Sequence, residues 1–304
     1  MSLLPPVPRT RLLGTSGIEV SSLAWGMWRL AEGGRSVGEA ARLVHAALGA
    51  GITLLDTADI YGLTAKGGFG DAEALLGKVL KAEPGLRGRM VLATKGGIRP
   101  PLPYDQSAGY VAAAIDASLA RLGTDVIDLW QVHRPDILTH PQELARALDD
   151  AVASGKVRAV GVSNFTQAQI AALQHFLGHK LVSTQPEISP GRIDCFENGE
   201  LDQAMMLGLT PLAWSPLGGG TLINPQTPRD RAIAAALDVV AARYAVSRSV
   251  AAYGWLMAHP SGIIPIVGSQ QGSRIAEAAE AWSMQWERGD WYAVMVAARG
   301  QRLP

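Results

Sequence analysis

Residues 51–62 read GITLLDTADIYG. The stretch opens with a glycine, continues as a short apolar run that ends at Asp56, and places Tyr61 five residues further on. A run of this length is typical of a buried strand, and a glycine before it is typical of the end of a preceding helix. The stretch therefore predicts a strand with Asp56 at its end and Tyr61 on the loop that follows.

Two later apolar runs have the same arrangement. Residues 90–95 read MVLATK and end at Lys95, and residues 127–133 read IDLWQVH and end at His133. In a β/α barrel, the C-terminal ends of all the strands face one pocket. Residues far apart in the sequence can therefore meet there, and we expect the aspartate, tyrosine, lysine and histidine to do so.

The remainder of the chain alternates between strand-like and helix-like segments, with no linker or low-complexity stretch that would divide it. Eight strands with intervening helices match a (β/α)₈ barrel, a TIM barrel, in number and length, and we expect residues 1–304 to form one domain. The predicted strands are Leu23–Trp28, Thr53–Asp56, Val91–Thr94, Ile127–His133, Ala159–Ser163, Ser183–Glu187, Thr210–Trp214 and Ile263–Val267. The predicted helices are Ser36–Ala50, Asp71–Leu80, Ala108–Leu122, Pro141–Ser154, Thr166–Phe176, Glu200–Leu207 and Arg229–Ala258, with a last one beginning near Ser273.

Turn and capping signals refine this prediction. The segment Arg11–Val20 contains Thr-Ser-Gly between two short runs, which predicts a β-hairpin that plugs the bottom of the barrel. Ser107 and Thr166 are candidate N-caps of the helices that follow them. Gly51 and Gly155 directly follow helical patterns, as glycines at helix C-termini do.

Composition excludes several classes of protein. The 304 residues include 27 basic and 27 acidic side chains, and no basic stripe suggests binding to nucleic acid. The single cysteine, Cys195, cannot form an internal disulfide and favours a reducing compartment. The N-terminus lacks the apolar core of a signal peptide, and no run is long enough to span a membrane. We therefore expect a soluble, cytoplasmic, globular protein.

The four polar residues at the strand ends suit the reduction of a carbonyl group. Such a reaction needs a hydride, which only a nicotinamide can provide, and a proton for the developing alkoxide. A lysine ammonium lowers the pKa of a neighbouring tyrosine, and a buried aspartate keeps the lysine charged. Lys95 and Asp56 could act on Tyr61 in this way, while His133 could bind the substrate oxygen. Taken singly, each residue also fits an ordinary role as a surface charge, a packed histidine or a loop aromatic.

The chain resembles the aldo-keto reductase family from about Arg11 to about Ala281. The stretch LLDTADIYG is similar to the family's aspartate–tyrosine signature, ATK matches its lysine strand, and VHRPD resembles the histidine strand of the bacterial subgroup. The stretch GKVRAVGVSNF, residues 155–165, is among the most specific motifs of the family. The resemblance implies a barrel that uses NADP(H), acts on a small carbonyl substrate, and is a monomer or weak homo-oligomer. It assigns the catalytic tetrad to Asp56, Tyr61, Lys95 and His133.

The resemblance also implies a cofactor groove along the strand ends. The nicotinamide carboxamide is placed against Ser163, Asn164 and Gln185, its ring is stacked on Trp214, and the pyrophosphate runs beside the glycine-rich loop from residue 215 to residue 220. The adenosine 2′-phosphate is placed after the last strand, near Ser269 and Arg274. The full set of expected cofactor residues is Gly26, Met27, Ser163, Asn164, Gln185, Trp214, Ser215, Leu217, Gly219, Gly268, Ser269 and Arg274.

Two positions depart from the family pattern. Many relatives have a lysine where this chain has Gly268, and many have an asparagine that contacts adenine where we align Ala278. The loss of one cation weakens the preference for the 2′-phosphate, although Arg274 could still bind it through two hydrogen bonds. We therefore expect NADP(H), with NAD(H) as a possible second cofactor.

Two other classes of protein are alternatives to a carbonyl reductase. The same fold and tetrad would suit a cofactor-binding subunit that senses redox state with little turnover. A metal-dependent hydrolase would need clustered ligands at the strand ends, and we expect no metal site; His175 and His179 lie four residues apart without further ligands. Residues 62–70 are rich in glycine and predict a mobile loop over the pocket. The identity of the carbonyl substrate does not follow from the sequence.

Overall fold

The computed structural model describes residues 2–64 and 67–303. Two short antiparallel strands, β1 (Thr10–Leu12) and β2 (Glu19–Ser21), precede a closed barrel of parallel strands. The barrel strands are β3 (Ala24–Gly26), β4 (Leu54–Asp56), β5 (Val91–Gly96), β6 (Ile127–Val132), β7 (Val157–Ser163), β8 (Leu181–Gln185), β9 (Thr210–Ala213) and β10 (Ile264–Val267). Each pairs with the next in sequence, and β10 closes the barrel on β3. The predicted (β/α)₈ barrel is confirmed.

Helices surround the barrel and connect its strands. They are α1 (Val37–Gly49), α2 (Asp71–Ala82), α3 (Ala108–Leu122), α4 (Pro141–Ala153), α5 (Gln167–Phe176), α6 (Glu200–Leu207), α7 (Pro228–Tyr244), α8 (Arg248–Met257), α9 (Gly272–Glu277) and α10 (Arg288–Arg299). No helix within the described residues is both long enough and apolar enough to cross a membrane. The glycine-rich loop of residues 62–70 includes Ala65 and Lys66, which lie outside the described residues.

Most of the predicted helix ends are correct. Thr166 forms a capping box at the start of α5, because its side chain accepts a hydrogen bond from the backbone N–H of Gln169 and the Gln169 side chain accepts one in return. Gly51 and Gly155 follow α1 and α4 with positive φ angles, as predicted. These local signals therefore fix where one helix begins and where two others end.

Two predictions about helices were wrong. Ser107 precedes α3 but its side chain does not cap it, since the hydroxyl donates to Asp105 and accepts no hydrogen bond from a helical N–H. The first helical N–H, that of Ala108, donates to Glu143. The predicted helix from residue 229 to residue 258 is two helices. Ala245 adopts a left-handed conformation after α7, and Ser247 then caps α8 through the Val250 N–H.

The N-terminal hairpin closes the bottom of the barrel, as predicted. Its turn is held by a hydrogen bond of 2.8 Å from the Leu13 N–H to the Ile18 carbonyl oxygen. Leu13, Ile18 and Val20 are buried in one cluster with the apolar side chains that fill the lower barrel, which include Ala24, Leu54, Ala93, Leu129, Leu212 and Ile264. The hairpin therefore supplies the floor of the barrel, and polar side chains occupy the upper end.

We expect Leu13→Ala to destabilise the protein by about 2–5 kcal/mol, because its side chain is fully buried in the barrel floor. Leu12→Ala is the matched control, since its side chain is 57% exposed and the expected change is below about 0.5 kcal/mol. Urea unfolding followed by circular dichroism measures both. Equal destabilisation by the two substitutions would contradict the role of the hairpin as a packed floor.

Candidate active site

The four predicted catalytic residues lie at the C-terminal ends of three neighbouring strands. Asp56 is the last residue of β4, Lys95 lies near the end of β5, and His133 directly follows β6. Tyr61 lies on the loop after β4. Because β4, β5 and β6 are adjacent in the barrel, the structure brings all four residues together.

Lys95 and Asp56 form a buried ion pair inside the barrel. The distance from Lys95 Nζ to Asp56 Oδ2 is 2.6 Å, and neither side chain is more than 3% exposed. Nζ also donates to the Thr57 carbonyl oxygen at 2.8 Å, and Gln185 Nε2 donates to Asp56 Oδ1 at 3.1 Å. Burial by itself lowers the pKa of Lys95, but the Asp56 carboxylate raises it by more than burial lowers it. The net pKa therefore lies above the usual lysine value, and the amine is charged.

Tyr61 lies directly above this pair. Lys95 Nζ is 4.9 Å from the centroid of the Tyr61 ring, and the His133 ring packs edge-on against the tyrosine at a centroid distance of 5.8 Å. Burial raises the pKa of Tyr61, and the Lys95 ammonium opposes that shift. The lysine thus acts in the predicted direction, but desolvation outweighs it, and the phenol holds its proton at neutral pH.

His133 has hydrogen-bonding capacity that no described residue uses. Its backbone N–H donates to the Gly96 carbonyl oxygen at 2.8 Å, which fixes the residue at the end of β6. Its ring atom Nδ1 is buried and has no partner among the described residues. Burial and the positive charges of Lys95 and Arg134 hold the pKa of the imidazole well below its usual value, so the ring is neutral. A neutral imidazole can bind the oxygen of a bound molecule without adding charge to the site.

The residues expected to hold a nicotinamide form one hydrogen-bonded network. Asn164 Nδ2 donates to Ser163 Oγ at 2.9 Å and to the His133 carbonyl oxygen at 3.1 Å, and Trp214 Nε1 donates to Asn164 Oδ1 at 3.0 Å. Ser163 Oγ in turn donates to the Gln185 carbonyl oxygen at 2.8 Å. The donors and acceptors of this network suit a carboxamide, and Gln185 connects the network to Asp56.

The remaining expected cofactor residues fall into three groups, of which the first lies on the loops after β9 and β10. Ser215, Gly219 and Gly268 lie on open loops after β9 and β10, and nothing lies within 4 Å of a Cβ placed on either of the two glycines. Leu217 is partly buried against the core. Such open backbone suits the close approach of a pyrophosphate.

The second group follows β10: Ser269 lies on the loop between β10 and α9, and Arg274 lies within α9. Arg274 is exposed and its guanidinium makes no hydrogen bond or ion pair with a described residue. A free guanidinium suits a phosphate, so this end of the groove fits the anionic part of a dinucleotide.

The third group lies at the end of β3, the first strand of the barrel. Met27 is fully buried and donates its N–H to the Asp56 carbonyl oxygen at 2.9 Å, while the Gly26 carbonyl accepts from Gln270 at 3.1 Å. These two hydrogen bonds tie the end of β3 to the end of β4 and to the segment after β10.

Asp59, which no sequence signal singled out, is a buried carboxyl group on the outer side of the barrel wall. It is 1% exposed, and both of its carboxyl oxygens lack a partner among the described residues. A Cβ placed on Gly96 would lie 3.0 Å from Asp59 Oδ2 and 2.8 Å from the Trp130 ring, so only glycine fits between them. Burial, together with the nearby Glu73 carboxylate, raises the pKa of Asp59 to about 8. Asp59 is therefore largely protonated at neutral pH.

Comparisons with known protein families and with individual proteins agree on one family. The sequence model of the Aldo/keto reductase family matches residues 22–294. A 6-dehydroglucose reductase of Novosphingobium aromaticivorans is 74% identical over 304 residues, which cover all of both chains. A 6-dehydroglucose reductase of Agrobacterium fabrum is 38% identical over 303 residues, which cover 96% of this chain and 99% of that one.

A solved structure has the same fold. The thermostable aldo-keto reductase Tm1743, crystallised with the inhibitor epalrestat, superposes with a TM-score of 0.82 at 22% sequence identity. The match covers 95% of this chain and 99% of that chain. At this level of identity the comparison supports the barrel architecture alone.

Because Asp59 is protonated in the native state, we expect the free energies of unfolding of the parent protein and of Asp59→Asn to differ by an amount that depends on pH. Between pH 4 and pH 8 the unfolded chain ionises Asp59 while the native state keeps it protonated, so this residue destabilises the native state increasingly as the pH rises. We expect Asp59→Asn to gain roughly 1 kcal/mol relative to the parent protein per pH unit between pH 5 and pH 8. Urea unfolding across this range measures the difference. Asp116→Asn, which alters an exposed ion pair, serves as the control, and parallel curves for Asp59→Asn would show that Asp59 is ionised in the native state.

Proposed function

Because the chain belongs to the Aldo/keto reductase family and is an oxidoreductase of carbonyl compounds, we propose that it reduces the aldehyde of 6-dehydroglucose to the primary alcohol of glucose. The buried Lys95–Asp56 pair beneath Tyr61 carries the proposal for the reaction. The substrate is inferred from the relatives that are named 6-dehydroglucose reductases, one of which matches the whole chain at 74% identity. NADPH is the proposed cofactor, with NADH as a weaker alternative.

In this proposal Tyr61 is the proton donor. Its phenol is protonated at neutral pH, which is the state needed to protonate the developing alkoxide. Transfer of the proton leaves a phenolate, and the Lys95 ammonium beside the ring stabilises that negative charge. Asp56 holds Lys95 charged and fixes its position, so the charge is in place before the reaction begins.

His133 is proposed to orient the carbonyl group. Its ring packs against Tyr61, and its neutral state allows it to donate a hydrogen bond to the carbonyl oxygen without competing with Tyr61 as a strong acid. A substrate oxygen held by both side chains is positioned for proton transfer. The pair therefore sets the direction from which the aldehyde is bound.

The cofactor is proposed to lie along the strand ends described above. A bound dihydronicotinamide supplies the hydride that no side chain can provide. Ser163, Asn164 and Gln185 would hold its carboxamide, and Trp214 would support its ring. The loop of Ser215 to Gly219 would accommodate the pyrophosphate, and Ser269 with Arg274 would bind the 2′-phosphate.

The direct test is turnover of 6-dehydroglucose, followed as the loss of dihydronicotinamide absorbance. We expect the parent protein to be active and Tyr61→Phe to lose about 10²–10⁴-fold in kcat with NADPH affinity unchanged, because only the proton donor is removed. Tyr292→Phe, on α10 and remote from the strand ends, should retain full activity.

The outcomes separate the two parts of this proposal. Reduction of other aldehydes without turnover of 6-dehydroglucose would reject the substrate and keep the reaction. Tight NADPH binding without turnover of any carbonyl would indicate a redox-sensing subunit instead. Full activity of Tyr61→Phe would reject Tyr61 as the acid.

Cofactor preference depends on Arg274 because Gly268 provides no side-chain cation. We expect Arg274→Ala to weaken NADPH about tenfold while NADH affinity stays nearly constant, since only NADPH carries the 2′-phosphate. Fluorescence titration with both cofactors measures this, and Arg231→Ala, an exposed arginine on α7, is the control for the change in charge. An equal loss for both cofactors would place the 2′-phosphate elsewhere.

A further inference from the structure

A cavity with a volume of about 680 Å³ lies at the end of the barrel opposite Tyr61. It is formed by the N-terminal segment, the C-terminal end of α8 and its following turn, and α10. Arg11 enters it from β1, the first strand of the hairpin that closes the barrel floor. The size falls within the usual range of small-molecule sites, and the position separates the cavity from the catalytic pocket by the length of the strands.

Arg11 is a cation without a partner among the residues that the structure describes. It is partly buried, its guanidinium makes no hydrogen bond or ion pair with a described residue, and its Nε is buried and unsatisfied. Burial lowers the pKa of Arg11, and no carboxylate among the described residues acts on it. A Cβ at position 262 would overlap Nη1 of Arg11, so Gly262 leaves the space that the guanidinium occupies.

No described residue that lines the cavity carries a negative charge. Arg288 adds a second, exposed cation at the edge, and its side chain also lacks an ion pair within the described part of the chain. His259 lines the cavity but is neutral at pH 7, because burial lowers its pKa to about 4. The cavity is therefore positively charged and is complementary to an anion.

The remaining walls are apolar and rigid. Pro5, Pro6 and Pro8 form one side and have no backbone N–H to offer a ligand. Trp291 forms another side and is held in place by stacking on Trp255 at 4.9 Å and by reciprocal hydrogen bonds of 3.0 Å between each indole N–H and the other residue's carbonyl. Such walls favour a ligand with an apolar body.

We propose that this cavity binds a small organic anion with an apolar body, such as an aryl or alkyl carboxylate, whose charged group pairs with Arg11. A buried guanidinium is unfavourable when it has no partner, and a carboxylate would satisfy it with two parallel hydrogen bonds. The apolar body would pack against Trp291 and the proline segment. This site does not depend on the reaction proposed for Tyr61.

Calorimetric titration of the full-length protein with phenylbutyrate tests the proposal. We expect a single binding site that Arg11→Gln weakens at least about tenfold, as the loss of a charge-assisted hydrogen bond requires. Arg9→Gln is the matched control, because Arg9 is an exposed arginine two residues away that packs on Trp282 outside the cavity. Phenylbutyramide, which has the same shape without the charge, should bind at least about tenfold more weakly.

Carboxylates could also bind beside Tyr61 and His133, so the active site needs its own control. Tyr61→Phe should retain the phenylbutyrate affinity, and Arg11→Gln should retain the parent kcat for the carbonyl substrate. Loss of binding in Tyr61→Phe with full binding in Arg11→Gln would assign the ligand to the catalytic pocket and overturn the proposal. Equal affinity of the parent and Arg11→Gln, equal affinity for the amide, or no binding by the parent protein would overturn it as well.

A second variant covers the case in which Arg11→Gln fails to fold. Val7→Trp fills part of the cavity from the N-terminal segment and leaves Arg11 in place, so we expect it to fold and to weaken phenylbutyrate at least about tenfold. Undiminished binding by Val7→Trp would place the ligand outside the cavity.

Inorganic phosphate should bind more weakly than phenylbutyrate, because it has no apolar body. Equal affinity for the two ligands would show that the apolar walls contribute nothing to binding, which would reject an amphipathic ligand.

Discussion

The site depends on one buried ion pair, that of Lys95 and Asp56. Two charges inside a barrel are unfavourable unless they are close, well oriented and fully hydrogen-bonded. Removal of one partner leaves the other charge buried without compensation. Here Nζ also reaches the Thr57 carbonyl, and Gln185 completes the shell of the carboxylate. Because these groups come from β4, β5 and β8, the complete set of hydrogen bonds around the pair forms only when β8 has joined the barrel. The chemistry proposed for Tyr61 is thus tied directly to the fold.

The barrel interior is divided into two zones along its axis. The lower zone is apolar and is sealed by the hairpin residues Leu13, Ile18 and Val20. The upper zone is polar and contains the ion pair. This division follows from strand alternation, since Leu54 and Asp56 on β4, and Ala93 and Lys95 on β5, are two residues apart and point to the same side. The hairpin keeps water from the lower zone, while access to the upper zone is from the strand ends.

The sequence predicted the features that depend on local pattern. The eight strands, the hairpin and the Thr166 capping box follow from periodicity and short-range hydrogen bonding, and the four residues of the ion-pair site follow from where the strands end. One error is local, since the left-handed Ala245 and the Ser247 cap divide the predicted helix from residue 229 to residue 258. The other errors lie where a distant or competing partner decides the structure. Ser107 does not cap α3 because its hydroxyl is turned to Asp105, while Glu143 from the next helix accepts from the first N–H of α3. The cavity around Arg11 was not predicted, since its walls come from both ends of the chain.

Asp56 and Asp59 show why position relative to the barrel wall matters more than residue type. They are three residues apart, yet Asp56 points into the barrel and pairs with Lys95, whereas Asp59 lies outside the wall, against Gly96 and near Glu73. Lys95 on the inner side binds Asp56 directly, whereas Arg121, the cation on the outer side near Asp59, forms its ion pair with Glu73 at 2.7 Å. The inner carboxyl therefore has a cation as its direct partner, whereas the outer one has none among the described residues and its pKa is raised to about 8. A second ionised carboxylate near Lys95 would partly cancel the positive potential that the ammonium exerts on Tyr61. Because Asp59 is neutral, the Lys95–Asp56 pair dominates the electrostatic potential at the phenol.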